Sequence, residues 1–217
     1  MSPRRLLWDV DTQFDFVRPE GRLPVPGAME AVEAMGRLVR AARAAGIVHL
    51  ASADDHELTD PEISDEPDFS STYPPHCLRG TRGAAKIAET EQADPLPLAH
   101  IAYPPGALAR LLEGRREIVL LKKSFDVFTS PNADGVLAVL VPSEIYLFGV
   151  ATDVCNHAAV VGLLRRGRTV TFVEDAARGL DEARTADCLA QWRAAGVAFA
   201  TTDEVVALLG GAVPRPA

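Results

Sequence analysis

The chain predicts an α/β fold of three layers, with helices covering both faces of a mostly parallel, Rossmann-like sheet of about six strands. Two observations lead there. Short apolar runs alternate along the chain with longer segments of helical spacing. Glycines close several of the helical segments, as at Gly46 and Gly196. Alternation of this kind favours parallel strands, because each crossover helix carries the chain back to the end where the previous strand began. The 217 residues suit a single domain over 1–217 with a sizeable core.

The elements follow in order. Leu6 to Asp11 reads as the first strand, and Thr12 to Phe16 follows its carboxyl end. Arg18 to Pro26 is punctuated by proline and glycine, hence a loop. Gly27 to Ala45 has helical spacing, and Ile47 to Ser52 is the second strand. From Asp54 to Gly83 neither period is present; a loop of that length in a compact domain is functional or disordered. Residues 83–100 read as irregular and 106–113 as helical. Ile118 to Lys122 is the third strand, Pro131 to Leu140 a short helix, and Glu144 to Phe148 the fourth strand. Val154 to Arg166 is a helix, Thr169 to Val173 a strand, and Asp181 to Ala195 a helix. Val197 to Ala200 and Asp203 to Leu209 complete the set, and a frayed tail is expected from Gly210.

Composition excludes some classes. A net charge of −8 argues against a nucleic-acid-binding face and against an anionic membrane partner. Three cysteines are too few, and odd in number, for a disulfide framework. The apolar run after Arg5 stops at Asp9, too soon for a signal peptide, and no window reaches membrane-spanning length. A reducing, cytoplasmic setting is expected.

Chemistry-bearing residues gather where strands end. Cys155 follows a buried strand and opens a helix, where unpaired N–H groups and the helix dipole favour a thiolate. The alternative is a buried structural thiol. Asp11 at the end of the first strand is a site candidate or a loop aspartate bonded to nearby amides. Lys122 ends another strand, as a site residue or a boundary charge. His49 lies inside a strand and reads as a core or edge histidine. The long loop carries Asp54, His56, Glu62 and His76, a mixed set suited to Zn²⁺, Mn²⁺ or Fe²⁺; its acidic middle also fits a solvated tip. In parallel sheets ligands sit at the carboxyl ends of strands, and four separate segments point to that edge. No Gly-x-Gly-x-x-Gly follows the first strand, so a nucleotide fold is not indicated.

Four stretches carry a resemblance. They are Val10-Asp11-Thr12-Gln13-Phe14-Asp15-Phe16, Lys122-Lys123-Ser124-Phe125, Gly149-Val150-Ala151-Thr152-Asp153-Val154-Cys155, and Asp54-x-His56 with Pro74-Pro75-His76-Cys77-x-x-Gly80-Thr81. Together they resemble the isochorismatase-like cysteine hydrolases, and among them the nicotinamidases. The resemblance implies a catalytic triad of Asp11, Lys122 and Cys155, with Lys122 selected over Lys123 by its spacing to Phe125. It implies an oxyanion hole from the N–H groups of Ala151 and Cys155, and a cis Val150–Ala151 bond. It implies a divalent metal on Asp54, His56, Glu62 and His76, and a ring pocket involving Gln13, Phe16 and Tyr73. The implied reaction is hydrolysis of a small amide, nicotinamide or a relative, through a thioester; the alternatives are another C–N substrate (an aliphatic, carbamoyl or cyclic amide) or a binding protein on a catalytically retired fold. A homo-oligomer is implied as well. The departures are Glu62 where many nicotinamidases place a third metal histidine, a longer stretch between His76 and Lys122, and no Tyr-Ser-Gly-Phe-like continuation of the lysine motif. Asp9 also stands where the first strand should be apolar.

Overall fold

The computed structural model describes residues 4–210. The chain runs β1 (Arg5–Val10), α1 (Phe14–Val17), α2 (Ala28–Ala44), β2 (Val48–Asp54), β3 (Leu96–Leu98), α3 (Pro105–Leu112), β4 (Glu117–Lys122) and α4 (Ala133–Leu140). It continues through β5 (Glu144–Val150), α5 (Cys155–Arg165), β6 (Val170–Arg178), α6 (Glu182–Ala194), β7 (Ala198–Ala200) and α7 (Thr202–Gly210). Single 3-10 turns lie at Arg82–Ala84 and Val127–Thr129.

The sheet has seven strands in the order β3-β4-β2-β1-β5-β6-β7, and the pairings are parallel throughout. The strand beyond the expected six is β3, in a stretch read as irregular. It is three residues long with Pro97 at its centre, and it sits at the sheet edge, where a missing N–H is tolerated. Two strands run longer than their apolar signal. β2 continues to Asp54, and β6 continues to Arg178 through a register shift opposite Leu147 and Gly149. The tail expected beyond α7 lies outside the described residues, apart from Gly210, which ends that helix.

Alternation within each strand divides the core between two faces. Leu6, Trp8 and Val10 join Leu147, Val136, Val160 and Trp192 on the face covered by α3, α4, α5 and α6. Leu7, Tyr146 and Phe148 join Met35, Leu38 and Val205 on the face covered by α1, α2 and α7. The winding reverses between β1 and β5. From β1 the chain builds outward through β2, β4 and β3, then returns to add β5 on the other side. At such a reversal the loops leave in opposite directions and open a crevice at the carboxyl ends of the two strands.

Candidate active site and metal centre

Three elements deliver one cluster to that crevice. β1 ends beside Asp11, β4 ends at Lys122, and α5 begins at Cys155 immediately after the turn from β5. Lys122 Nζ lies 2.9 Å from Asp11 Oδ2, 2.5 Å from Asp54 Oδ1 and 4.0 Å from Cys155 Sγ. Carboxylate oxygens of Asp11 and Asp54 and the Cys155 sulfur lie within 4.8 Å of one another. Asp11, Asp54, Lys122 and Cys155 are all buried. Asp54 and Lys122 are cross-strand partners in the β2–β4 register, which explains why they meet. Ser52 donates a 2.7 Å bond to Asp11 Oδ1, so that oxygen is fixed. Asp11 Oδ2 accepts no hydrogen bond, although Lys122 is at ion-pair distance.

Electrostatics here is a contest between burial and pairing. Burial pulls the Lys122 ammonium down, but Asp11 and Asp54 outweigh it and hold its pKa well above the ordinary value. Burial raises the Asp11 carboxyl, which Lys122 only partly offsets and Asp54 reinforces. Burial also raises the Cys155 thiol well above its ordinary value, with Lys122 opposing and Asp11 and Asp54 adding to the rise. This corrects the thiolate expected from a helix N-terminus. The sequence showed the helix end, and the resemblance placed Asp11 beside the sulfur, but neither showed the depth of burial or the second carboxylate, Asp54.

At the β5–α5 turn the Val150–Ala151 bond is cis. Among the described residues, the Ala151 and Cys155 N–H groups have no hydrogen-bond acceptor, while the Asn156 N–H donates to Ala151 O at 3.0 Å. Asn156 Nδ2 donates to Gly149 O at 3.0 Å and ties the turn together.

Beside this cluster lies a second one. Donor atoms of Asp54, His56, Glu62 and His76, all buried, lie within 4.8 Å of one another. His56 Nε2 is 3.7 Å from Asp54 Oδ1 and 3.7 Å from Glu62 Oε1; His76 Nε2 is 3.7 Å from Asp54 Oδ2. Asp54 Oδ2 and His56 Nε2 have no hydrogen-bond partner. Orphaned buried atoms of this kind call for an ion or a proton. The far nitrogens are engaged: His76 Nδ1 is 2.7 Å from Pro74 O, and His56 Nδ1 is 3.3 Å from Asp60 Oδ2. That arrangement turns each Nε2 lone pair inward, as in metal-ligating histidines. Donors about 2 Å from a shared ion stand roughly 3–4 Å apart, so the set fits a divalent cation of the Zn²⁺, Mn²⁺ or Fe²⁺ type. Burial and the Asp54 charge push Glu62 up to about 7. Its Oε2 accepts from the Phe125 N–H at 2.5 Å.

Phe16 and Tyr73 line a small cavity with Leu23, Val25, Phe125, Val154 and Leu180, and Cys155, Glu62 and His76 open onto it. Gln13, expected there, lies elsewhere. Its amide grips the Asp54 backbone in both directions, donating to Asp54 O and accepting from Asp54 N at 2.7 Å each. It therefore positions a carboxylate and does not line the cavity. Sequence reasoning also missed Asp60, whose Oδ2 binds Lys123 Nζ at 3.0 Å as well as His56. Only its spacing of four from His56 could have marked it. Leu23, Val25 and Leu180 carried no signal beyond being apolar.

Residues 104–204 match the Isochorismatase domain. The curated nicotinamidase/pyrazinamidase of Mycobacterium tuberculosis is 27% identical over 195 residues, covering 89% of this chain and 96% of that protein. The chain is similar to proteins of the Isochorismatase domain. Among solved structures, a zinc complex of the Pyrococcus horikoshii pyrazinamidase superposes with a TM-score of 0.70 at 21% identity, covering 92% of this chain and 99% of that one. The N-carbamoylsarcosine amidase of Thermoplasma acidophilum has a TM-score of 0.70 at 22% identity, with 92% and 97% covered. At these identities the chain shares their fold, while its chemistry is argued from its own side chains.

Proposed function

We propose that this protein is a cysteine-dependent amidohydrolase that cleaves a small aromatic amide, nicotinamide or a close relative, to acid and ammonia. The observation that carries the reading is the convergence of Asp11, Lys122 and Cys155 beside a buried set of two histidines and two carboxylates.

The residues divide the work as follows. Asp11 takes the Cys155 thiol proton, a transfer made easier because Asp11 is raised in pKa. Lys122 stays charged beside both groups and holds Asp11 in ion-pair contact. The sulfur attacks the amide carbonyl carbon, and the oxyanion takes hydrogen bonds from the Ala151 and Cys155 N–H groups. Asp11 returns the proton to the departing amine as the C–N bond breaks. Water then hydrolyses the thioester, Asp11 accepting its proton and passing it to the sulfur. Asp54, His56, Glu62 and His76 would hold a divalent ion, which when bound supplies a Lewis-acid contact that orients a ring nitrogen. Phe16 and Tyr73 supply apolar ring faces.

The curated relative's name supports nicotinamide. A structural neighbour named N-carbamoylsarcosine amidase keeps a second reading in view, an acyclic carbamoyl substrate. The cavity lining favours the first, since among the described residues that line it there is no lysine or arginine to receive a substrate carboxylate. The test is ammonia release from nicotinamide by purified protein, with and without chelator, beside a Cys155→Ala control. Release that stops under both conditions supports the proposal. Release that persists in Cys155→Ala refutes the nucleophile, and release indifferent to the chelator refutes the metal's part.

A further inference from the structure

We propose that Lys86 is a positioning residue for this reaction, holding Asp11 by gripping the chain on both sides of it. The proposal rests on reading Asp11, Lys122 and Cys155 as the reacting groups.

Lys86 Nζ lies 2.7 Å from Asp9 Oδ2 and donates to Thr12 Oγ1 at 2.8 Å. These partners flank Asp11 in sequence, two residues before it and one after. Thr12 Oγ1 donates to Asp9 Oδ1 at 2.8 Å, which uses its only proton. Thr90, 2.6 Å away, must therefore donate to Thr12. His49 Nε2 stands 3.3 Å from Asp9 Oδ2, so that Asp9, Thr12, Thr90 and His49, all buried, gather around a partly buried Lys86. Backbone bonds fasten the same two segments: Phe14 N–H to Ala85 O at 2.8 Å, and Ile87 N–H to Thr12 O at 3.0 Å.

Asp11 needs such a clamp. Its backbone is left-handed, with φ of 51°, a conformation uncommon in residues other than glycine and one that contacts on either side help to hold. The carboxylate it presents must face both Lys122 and the Cys155 sulfur. A polar set is also an expensive way to fill the space. Asp9 lies fully buried in a strand whose other buried members are Leu6, Leu7, Trp8 and Val10. An apolar pair of similar volume stabilises a core as well as a buried ion pair does, or better. The Asp9–Lys86 pair adds direction: it fixes where Thr12 sits, and Thr12 is covalently next to Asp11. Lys86 and Thr90 come from the stretch between His76 and Lys122 that the sequence comparison marked as long, and Asp9 was the unexpected acid in the first strand. The two departures meet in one contact.

The test compares wild type with Lys86→Met, Thr12→Val and the double variant Asp9→Leu/Lys86→Met. Three quantities are read: Tm, the rate at which iodoacetamide modifies Cys155 by mass spectrometry, and kcat and KM on nicotinamide. Lys86→Met and Thr12→Val should slow alkylation and kcat roughly tenfold or more with KM unchanged, since misplacement of a reacting group acts on the chemical step. The double variant should recover the Tm lost by Lys86→Met without recovering either rate. Recovery of Tm and rates together would make the pair structural only and overturn the proposal. So would a Thr12→Val protein that reacts like wild type. A wild type inert toward nicotinamide that still shows the alkylation pattern would overturn the substrate reading and leave the clamp supported. A Cys155→Ala protein as active as wild type would instead refute the nucleophile assignment, before any other variant is compared.

Discussion

Lys122 is a fully buried lysine, and its neighbours determine what it does. Two carboxylates within 2.9 Å keep it charged against the cost of burial. Removing that charge leaves Asp11 and Asp54 facing each other in a buried site. Lys122→Met should therefore lower stability by about 3–5 kcal/mol, as unpaired buried charges do, in urea unfolding of chelated protein. A loss near zero would mean the carboxylates take up protons or relocate freely. Asp11→Asn keeps the shape and removes the proton acceptor. Since the Cys155 thiol lies well above its ordinary pKa, the sulfur depends on that acceptor, and kcat should fall about 10²–10⁴-fold with the fold intact by circular dichroism. Asp60 acts at one remove, through His56 Nδ1. Asp60→Asn should weaken divalent-metal affinity about 10–100-fold in a competition titration against a chelator, without touching the ligand set itself.

Elements bring these residues together, and here the sequence was partly readable. The β5–α5 turn illustrates what was legible. An apolar run, a glycine and then a helical segment placed Cys155 near the N-terminus of a helix expected from Val154, and α5 begins at Cys155. Gly149 has φ of 120°, and a Cβ on it would run into the Val10 carbonyl oxygen of the neighbouring strand. Gly149→Ala should cost more than about 3 kcal/mol, read as loss of soluble folded protein or a lowered urea midpoint; a wild-type midpoint would show that β1 and β5 can separate. What was not legible depends on neighbours far off in the chain. β3 was missed because three residues around a proline give no period, and only the edge of β4 makes them a strand. β2 runs on to Asp54 because β4 pairs with it up to Lys122, so a residue assigned to a loop is the last of a strand. Gln13 was placed in the pocket by its motif; its hydrogen bonds to the Asp54 backbone appear only once residues 41 positions apart are adjacent.

At the scale of the molecule, much of the ionic chemistry lies in buried clusters on the α2 side and at the carboxyl edge of the sheet, so metal and proton binding should register in global stability. An ion held by Asp54, His56, Glu62 and His76 joins β2 to the long loop and binds only the folded chain. Adding chelator to metal-loaded protein should lower Tm, and at a free ion concentration about 100 times Kd the stabilisation lost is about 2.7 kcal/mol. An unchanged Tm would argue that nothing is bound there. Protons act at the other cluster. Burial raises the Asp9 carboxyl, but Lys86 and His49 outweigh it and hold it below its ordinary value of 3.8. A carboxyl depressed in the folded state binds fewer protons there than in the unfolded chain across that window. Its contribution is therefore complete above an unfolded pKa of about 3.9 and is lost as pH falls through the lower folded value. Asp9→Asn should be less stable than wild type at neutral pH, and the gap should narrow as the pH drops below about 3.9. Urea unfolding from pH 6 to pH 3 measures both curves. A gap that widens as the pH falls would mean Asp9 carries a proton in the folded protein, and a constant gap would mean its pKa is the same folded and unfolded; either result would remove the ion pair with Lys86.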